Sequence, residues 1–251
     1  MSGTMDGRIN ETTEERLRTA VAATTVVLSH AGILGYSGHV SLRLAGRDAF
    51  LIQPMDDSRA ALAPEAVLTV DLDGKAMAGR SGAKPPREVF IHSEIYRARP
   101  DVNAVLHYHP ALATLFTMVE GRALVPLRNQ AARWASGIPV HPDPGHVNSP
   151  AKGRALAGVL DRHNAALIRG HGAVLVAEGL KELFIDAVHF EENAEAVYRA
   201  AQLGVLKPLA ADELAAFARQ IDRAAHGAKL WTYYAGRAAA DGAIPESWTR
   251  L

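Results

Sequence analysis

The chain contains no cysteine. Disulfides and thiolate metal sites are excluded, so any bound metal has to rest on histidine, aspartate or glutamate. An excess of charge of one sign is missing too, because 27 Lys and Arg balance 27 Asp and Glu. No overall field draws the chain to nucleic acid or to an acidic membrane surface. The apolar run near the N-terminus, residues 20–28, is interrupted by Thr24 and Thr25 and ends at Ser29-His30. A bilayer span needs about 20 apolar residues. Residues 1–13 are polar and hold no apolar core of signal-peptide length. A cytoplasmic protein with no membrane and no nucleic-acid partner is expected. Nucleotide-binding glycine loops are also lacking: Gly170-His171-Gly172 has neither the third glycine nor a strand-to-helix setting.

What is present fits one packed α/β domain: 251 residues, 48% hydrophobic and 22% charged, values ordinary for a globular chain. Residues 1–11 read as a disordered leader and 12–251 as a single domain, with no repeat, linker or low-complexity run. Thr12 and Glu15 have capping-box spacing, which predicts a first helix over 12–30. Apolar periodicity and breakers predict further helices over 87–99, 111–119, 150–162, 180–203, 212–225 and 228–239. Strands are expected over 40–44, 49–53, 67–72, 102–109, 165–168 and 173–176. Strands mixed with helices in this order imply a mixed sheet covered by helices on both faces.

His107-Tyr108-His109 closes the strand at 102–109, and Pro110 ends it. Side chains two apart on a strand point the same way, so two imidazoles there can grip one cation. His171 stands between two glycines in a turn between apolar strands. Added to His-x-His, it makes the three-histidine set of a catalytic zinc site with an open position. Glu88 follows Pro85-Pro86 at a helix start. A carboxylate there either satisfies the helix dipole or serves as an acid–base or labile ligand.

These residues resemble the class II aldolase/adducin family, which includes fuculose-phosphate aldolase, rhamnulose-phosphate aldolase and ribulose-phosphate 4-epimerase. The resemblance is carried by Pro86-Arg87-Glu88, by the stretch 99–110 ending in His107-Tyr108-His109-Pro110, and by Arg169-Gly170-His171-Gly172. It extends over residues 12 to about 205. Glu88 precedes His107 by 19 residues, in register with the family's acid–base glutamate. The resemblance implies that His107, His109 and His171 are metal ligands and that Glu88 is the catalytic acid–base. It implies a three-layer α/β/α sandwich around a mixed, mostly antiparallel sheet, assembled as a homotetramer. It also matches Gly38-His39-Val40-Ser41 to the family's substrate loop, and offers Tyr234 (or Tyr233) as a catalytic C-terminal tyrosine that reaches a neighbouring subunit's site and donates a proton. An aromatic anchor in a subunit interface is the other use of that tyrosine pair.

The chain departs from the sugar-phosphate pattern in three places. Gln53-Pro54-Met55-Asp56-Asp57-Ser58 stands where a Thr-Gly type loop is expected, and its two aspartates repel a phosphate dianion. Pro86-Arg87 replaces a Ser-Ser pair, and His39 replaces an asparagine. A carboxylate or carbonyl substrate is expected instead, with Gly38, His39, Arg87 and Arg128 as candidate contacts. The run 85–92 is similar to family members that decarboxylate hydroxylated aromatic acids such as dihydroxyphthalate. The expected function is a lyase holding one divalent metal per subunit, with zinc first and manganese, cobalt or iron as alternatives. The metal acts as Lewis acid and Glu88 as acid–base in losing carbon dioxide. Aldol cleavage or epimerisation of a sugar or keto acid is the alternative, and a non-catalytic assembly module is the third reading. His92, one turn beyond Glu88, either orients Glu88 or packs; His141 and His146 fall in a Pro-rich loop, as plain loop residues or as substrate contacts; His189 belongs to helix packing.

Overall fold

The computed structural model describes residues 5–250, with side chains from residue 13 onward. The described residues form eight strands and seven α-helices; the strands are β1 (His39–Arg43), β2 (Ala49–Ile52), β3 (Leu68–Asp71), β4 (Ala76–Ala78), β5 (Ala104–Tyr108), β6 (Val140–His141), β7 (Ala165–Ile168) and β8 (Gly172–Ala177). The helices are α1 (Met5–His30), α2 (Val89–Ala98), α3 (Ala111–Leu115), α4 (Pro150–Leu160), α5 (Leu180–Leu203), α6 (Ala211–Gln220) and α7 (Arg223–Ala240). One sheet holds all eight described strands in the order β4-β3-β2-β1-β5-β8-β7-β6. Its neighbours are antiparallel except for the β6–β7 pair.

The two-residue alternation of strand side chains sorts the buried residues into two cores. Val40, Leu42, Ala104, Leu106, Tyr108, Leu175 and Ala177 meet Val26 of α1, Phe184 of α5 and Trp231 of α7 on one face. Phe50, Ile52, Val105, Val174 and Val176 meet Ile91 and Ile95 of α2 and Leu156 and Leu160 of α4 on the other. The result is the expected three-layer α/β/α arrangement on a mixed, mostly antiparallel sheet. Odd-numbered positions of β5 therefore face α2 and α4, and even-numbered ones face α5. This parity puts His107 on the α2 side, while Tyr108 points to the opposite layer.

Several element ends differ from the sequence expectations. α1 begins at Met5 rather than near residue 12; no proline interrupts residues 5–11. Residues 1–4 of the expected leader, and the side chain of Thr12, lie outside the described residues. The helix expected over 111–119 closes after Leu115 in 3-10-type bonds, Phe116 N–H to Ala113 O and Met118 N–H to Leu115 O. β4 and β6 carry no readable alternation: β4 is an exposed edge strand and β6 has two residues. The last two helices meet five residues earlier than expected, because Asp222 caps α7 by accepting from Ala225 N–H.

Asp186 of α5 is 1% exposed and holds the C-terminal helix to the body. Its Oδ2 accepts from Arg133 Nε at 3.0 Å, and its two oxygens accept from Arg223 of α7 at 2.8 and 2.9 Å. Removing one partner of a buried ion pair leaves a desolvated charge behind, at about 3–5 kcal/mol. Asp186→Ala is expected to lower unfolding free energy by that amount in a urea titration, whereas Glu195→Ala, from the exposed Glu195–Arg199 pair, moves it by less than about 1 kcal/mol.

Candidate metal centre

β5 pairs with β1 on one side and β8 on the other, with His39 opposite His107 and Tyr108 opposite Ala173. His107 is fully buried and its Nδ1–H donates to Ala173 O at 3.0 Å. That bond fixes the tautomer and leaves Nε2 as a lone pair, as imidazoles that bind metals are usually held. His171 arrives through the turn at Gly170, whose φ is +61° and whose N–H donates to Thr117 Oγ1. Gly172 is needed beside it: a Cβ there would lie 2.4 Å from Tyr108 O and 2.9 Å from His109 Cδ2. Gly172→Ala is expected to cost about 1–3 kcal/mol of stability by overpacking and to weaken metal affinity by displacing His109. Thermal unfolding and a cobalt(II) titration read the two effects.

The three rings converge. His107 and His109 centroids are 5.0 Å apart at 89°, His107 and His171 are 5.2 Å apart at 88°, and His109 and His171 are 5.2 Å apart. Glu88 ends the stretch before α2 and turns its carboxylate into the same space. Its Oε2 lies 3.3 Å from His107 Nε2 and 3.6 Å from His171 Nε2, and Oε1 accepts from Val147 N–H at 2.9 Å. One ligand atom from each of Glu88, His107, His109 and His171 falls within a 4.8 Å group.

The residues present fit a divalent ion. His107 Nε2 is buried and has no hydrogen-bond partner, which is costly unless something else occupies that lone pair. Nitrogen and oxygen donors of this kind suit zinc and its first-row neighbours. Burial, then the neighbouring His107 and His171, depress the His109 imidazole to about 4, so it offers a lone pair at neutral pH. Burial by itself would raise the Glu88 carboxyl. The adjoining His107 and His171 imidazoles and the Val147 N–H outweigh it and hold the group well below the usual carboxylate range.

Behind the cluster runs a buried polar chain. His39 Nδ1 and His92 Nε2 are 2.6 Å apart, His92 Nδ1 and Ser41 Oγ 2.6 Å, and Ser41 Oγ and Tyr96 Oη 2.7 Å. Tyr96 Oη also donates to Asn103 O at 3.3 Å. This corrects the expectation for His39 as a partner of a substrate carboxylate. His39 is 4% exposed, and burial, followed by His92 and His107, pushes its imidazole well below the ordinary range. Its Nδ1 is committed to His92. His92 itself, pushed down to about 3 mainly by burial, bonds to His39 and Ser41. The alternation of His39 and Ser41 on β1, and the one-turn spacing of His92 and Tyr96 on α2, were the signals available for this chain. On the other face, Tyr108 Oη donates to Glu191 Oε1 at 2.8 Å and ties the His-x-His strand to α5.

The other predicted positions are not gathered into the cluster. Gly38 has φ +102°, and a Cβ there would meet His107 O at 2.7 Å; its own carbonyl accepts from Gln53 Nε2 and Arg59 Nε. Its part is to let the β1 turn pack on β5. Arg87 is exposed. Arg128 is exposed and pairs with Glu192 at 3.3 Å. Tyr234 packs edge-on against Phe184 of its own α5 and against Tyr233. His189 stacks on His226, with ring centroids 5.1 Å apart. His146, in contrast, comes to the site: its Nδ1 is 3.5 Å from Glu88 Oε1.

Residues 19–198 match the family model for the class II aldolase and adducin N-terminal domain. The chain belongs to the class II aldolase and adducin family. Its relatives include 3,4-dihydroxyphthalate decarboxylase of Arthrobacter keyseri, 29% identical over 191 residues, covering 70% of this chain and 75% of that one. They also include 5-methylthioribulose-1-phosphate/5-deoxyribulose-1-phosphate aldolase of Rhodospirillum rubrum, 30% identical over 181 residues, 72% and 79% of the two chains. Among solved structures, L-fuculose 1-phosphate aldolase from Glaciozyma antarctica superposes with a TM-score of 0.76 at 18% identity, covering 92% of this chain and 91% of that one. That similarity reports the class II aldolase fold. Among the described residues, no helix is long and apolar enough to cross a membrane.

Proposed function

We propose that this chain is a divalent-metal-dependent carbon–carbon lyase that decarboxylates a hydroxylated aromatic carboxylic acid. The observation that carries the reading is the convergence of Glu88, His107, His109 and His171 within 4.8 Å, with His107 Nε2 buried and unpartnered. His107, His109 and His171 hold the ion, zinc being the first choice for three imidazoles. A bound divalent ion supplies Lewis acidity toward substrate oxygens.

The rest of the chemistry belongs to the chain. Glu88, a carboxylate in the free site, takes up a proton from a substrate hydroxyl at Oε2, the oxygen facing the histidines, and returns it to carbon, while Val147 N–H anchors Oε1. The carbon left by departing carbon dioxide needs that proton, and a positioned carboxyl supplies it. The Ala173 carbonyl keeps His107 in the tautomer that presents Nε2. Burial of both His107 and Glu88 keeps bulk water from competing for these groups.

The surroundings support a substrate without phosphate. Asp57 pairs with Arg80 at 2.7 Å, and Arg59 gives its Nε and Nη1 to the carbonyls of Gly38, Met55 and Asp57. That arrangement offers a phosphate dianion the Asp56 carboxylate, an Asp57 already paired and an arginine already engaged. The dihydroxyphthalate decarboxylases among the relatives point to the same substrate class. Aldol cleavage of a sugar phosphate, the activity named for the Rhodospirillum relative, is the second reading, because both reactions leave electron density on carbon that a Lewis acid held by the three histidines would stabilise. Residues 12–251 act as one domain in this reading, the protein is cytoplasmic, and Tyr233 and Tyr234 of α7 serve a homotetramer interface.

Metal analysis of purified protein is expected to give about one divalent ion per chain. Incubation with dihydroxybenzoate- and dihydroxyphthalate-type acids is expected to release carbon dioxide. Aldol product from dihydroxyacetone phosphate and an aldehyde, without carbon dioxide release from the acids, overturns the reading in favour of the second.

A further inference from the structure

The loop joining β6 to α4 does two things at once. Val147 is buried in the core under α2 and α4, and its N–H bonds Glu88. The preceding residue, His146, keeps a side chain 68% exposed. Its backbone is pinned from both sides. Asp143 Oδ1 accepts from Gly145 N–H at 2.9 Å, and Lys152 Nζ donates to His146 O at 3.1 Å. Ser149 caps α4 by accepting from Lys152 N–H. The loop is thus a fixed support carrying an imidazole in the open.

That imidazole stands at the solvent side of the metal cluster. Nδ1 is 3.5 Å from Glu88 Oε1, and the ring lies edge-on to His171 with centroids 5.7 Å apart. It is outside the four-residue group able to hold the ion. A carboxylate oxygen only accepts, so in the tautomer whose hydrogen is on Nδ1, toward Glu88, Nε2 on the far edge of the ring is an acceptor. A ligand reaching the histidine-held ion from solvent meets this edge.

We infer that His146 is a further substrate-contacting residue, whose Nε2 accepts a hydrogen bond from a ring hydroxyl of the acid bound at the metal. The inference rests on the function proposed above and specifies its substrate as one with a hydroxyl beyond those taken up by the ion. His146 selects among acids, while His107, His109 and His171 bind whatever chelates.

Calorimetric titration of zinc-loaded protein with 2,3-dihydroxybenzoate and with salicylate, which lacks the second hydroxyl, tests this. Wild type is expected to bind 2,3-dihydroxybenzoate more tightly than salicylate. His146→Phe keeps a ring but loses the acceptor and is expected to weaken 2,3-dihydroxybenzoate about tenfold, leaving salicylate unchanged. His146→Gln, whose amide oxygen reaches the same place, is expected to restore most of the loss. Zinc content stays at the wild-type level in both variants. Equal affinities of wild type and His146→Phe for 2,3-dihydroxybenzoate, equal losses for both acids, or loss of zinc overturn the inference while the proposed function stands. Zinc-loaded wild type that binds neither acid overturns the proposed substrate class, and this inference with it.

Discussion

His107→Ala abolishes metal binding and, with it, turnover. Zinc sites with four protein ligands bind with about 10–16 kcal/mol, so one imidazole accounts for on the order of 3–4 kcal/mol, or about 10²–10³-fold in affinity. His107 carries more than this average. Its Nε2 is buried without a partner, its Nδ1 is anchored on Ala173 O, and its ring touches those of both His109 and His171. Because it is fully buried, alanine there also leaves a cavity in the sheet. His109→Ala separates the two effects, since His109 is exposed and its loss leaves the core filled. Both variants are expected to lose stoichiometric metal after dialysis, with unfolding of His109→Ala unchanged in the metal-free form. Retention of one ion per chain by both variants, with activity intact, removes the metal from the reaction.

Glu88→Gln has a different signature: metal content stays near one ion per chain while carbon dioxide release falls about 10²–10⁴-fold, the usual loss when a positioned acid–base is removed. Glutamine keeps the size of the side chain and an oxygen able to accept from Val147 N–H, so the loop that carries His146 stays in place. What disappears is the exchangeable proton at the oxygen beside His107 and His171. Single-turnover measurement under saturating substrate isolates the chemical step. A fall in metal affinity matching the fall in rate assigns Glu88 to the ion as ligand, and a rate within a few-fold of wild type removes it from the mechanism.

The two variants bear on the two parts of the site that sequence made visible to different degrees. His107 and His109 were legible together because strand alternation is strictly local: two residues apart means one face, whatever the fold. The bracketing glycines of His171 marked a turn, and the spacing of Glu88 matched a family pattern. The side-chain partners were less accessible. Nothing local says that Asn103 or Ala173 carbonyls end polar chains, that Tyr108 reaches Glu191 across the sheet, or that Val147 N–H holds Glu88. His39 shows the limit from the other direction. Its place in a substrate-loop motif suggested a contact to a substrate carboxylate, but the β1–β5 register sets it opposite His107 and α2 covers it with His92, and burial disfavours the charged imidazole. Arg128 was a plausible anion partner by type alone, and its placement against Glu192 depends on how α5 lies over the sheet.

The sequence by itself determined the absence of thiolate chemistry, the layering of helix and strand, the three histidines and the glutamate. The first two follow from composition and from periodicities of two and 3.6 residues, which the local backbone enforces; His107 and His109 follow from strand alternation, His171 from its glycine turn, and Glu88 from the family resemblance. Only the tertiary structure decided which face of β5 meets α2, which carbonyl sets the His107 tautomer, and that His146 joins the site while Arg128 does not. Those outcomes depend on strand register and helix docking, where burial across the whole sheet outweighs the preference of any single residue.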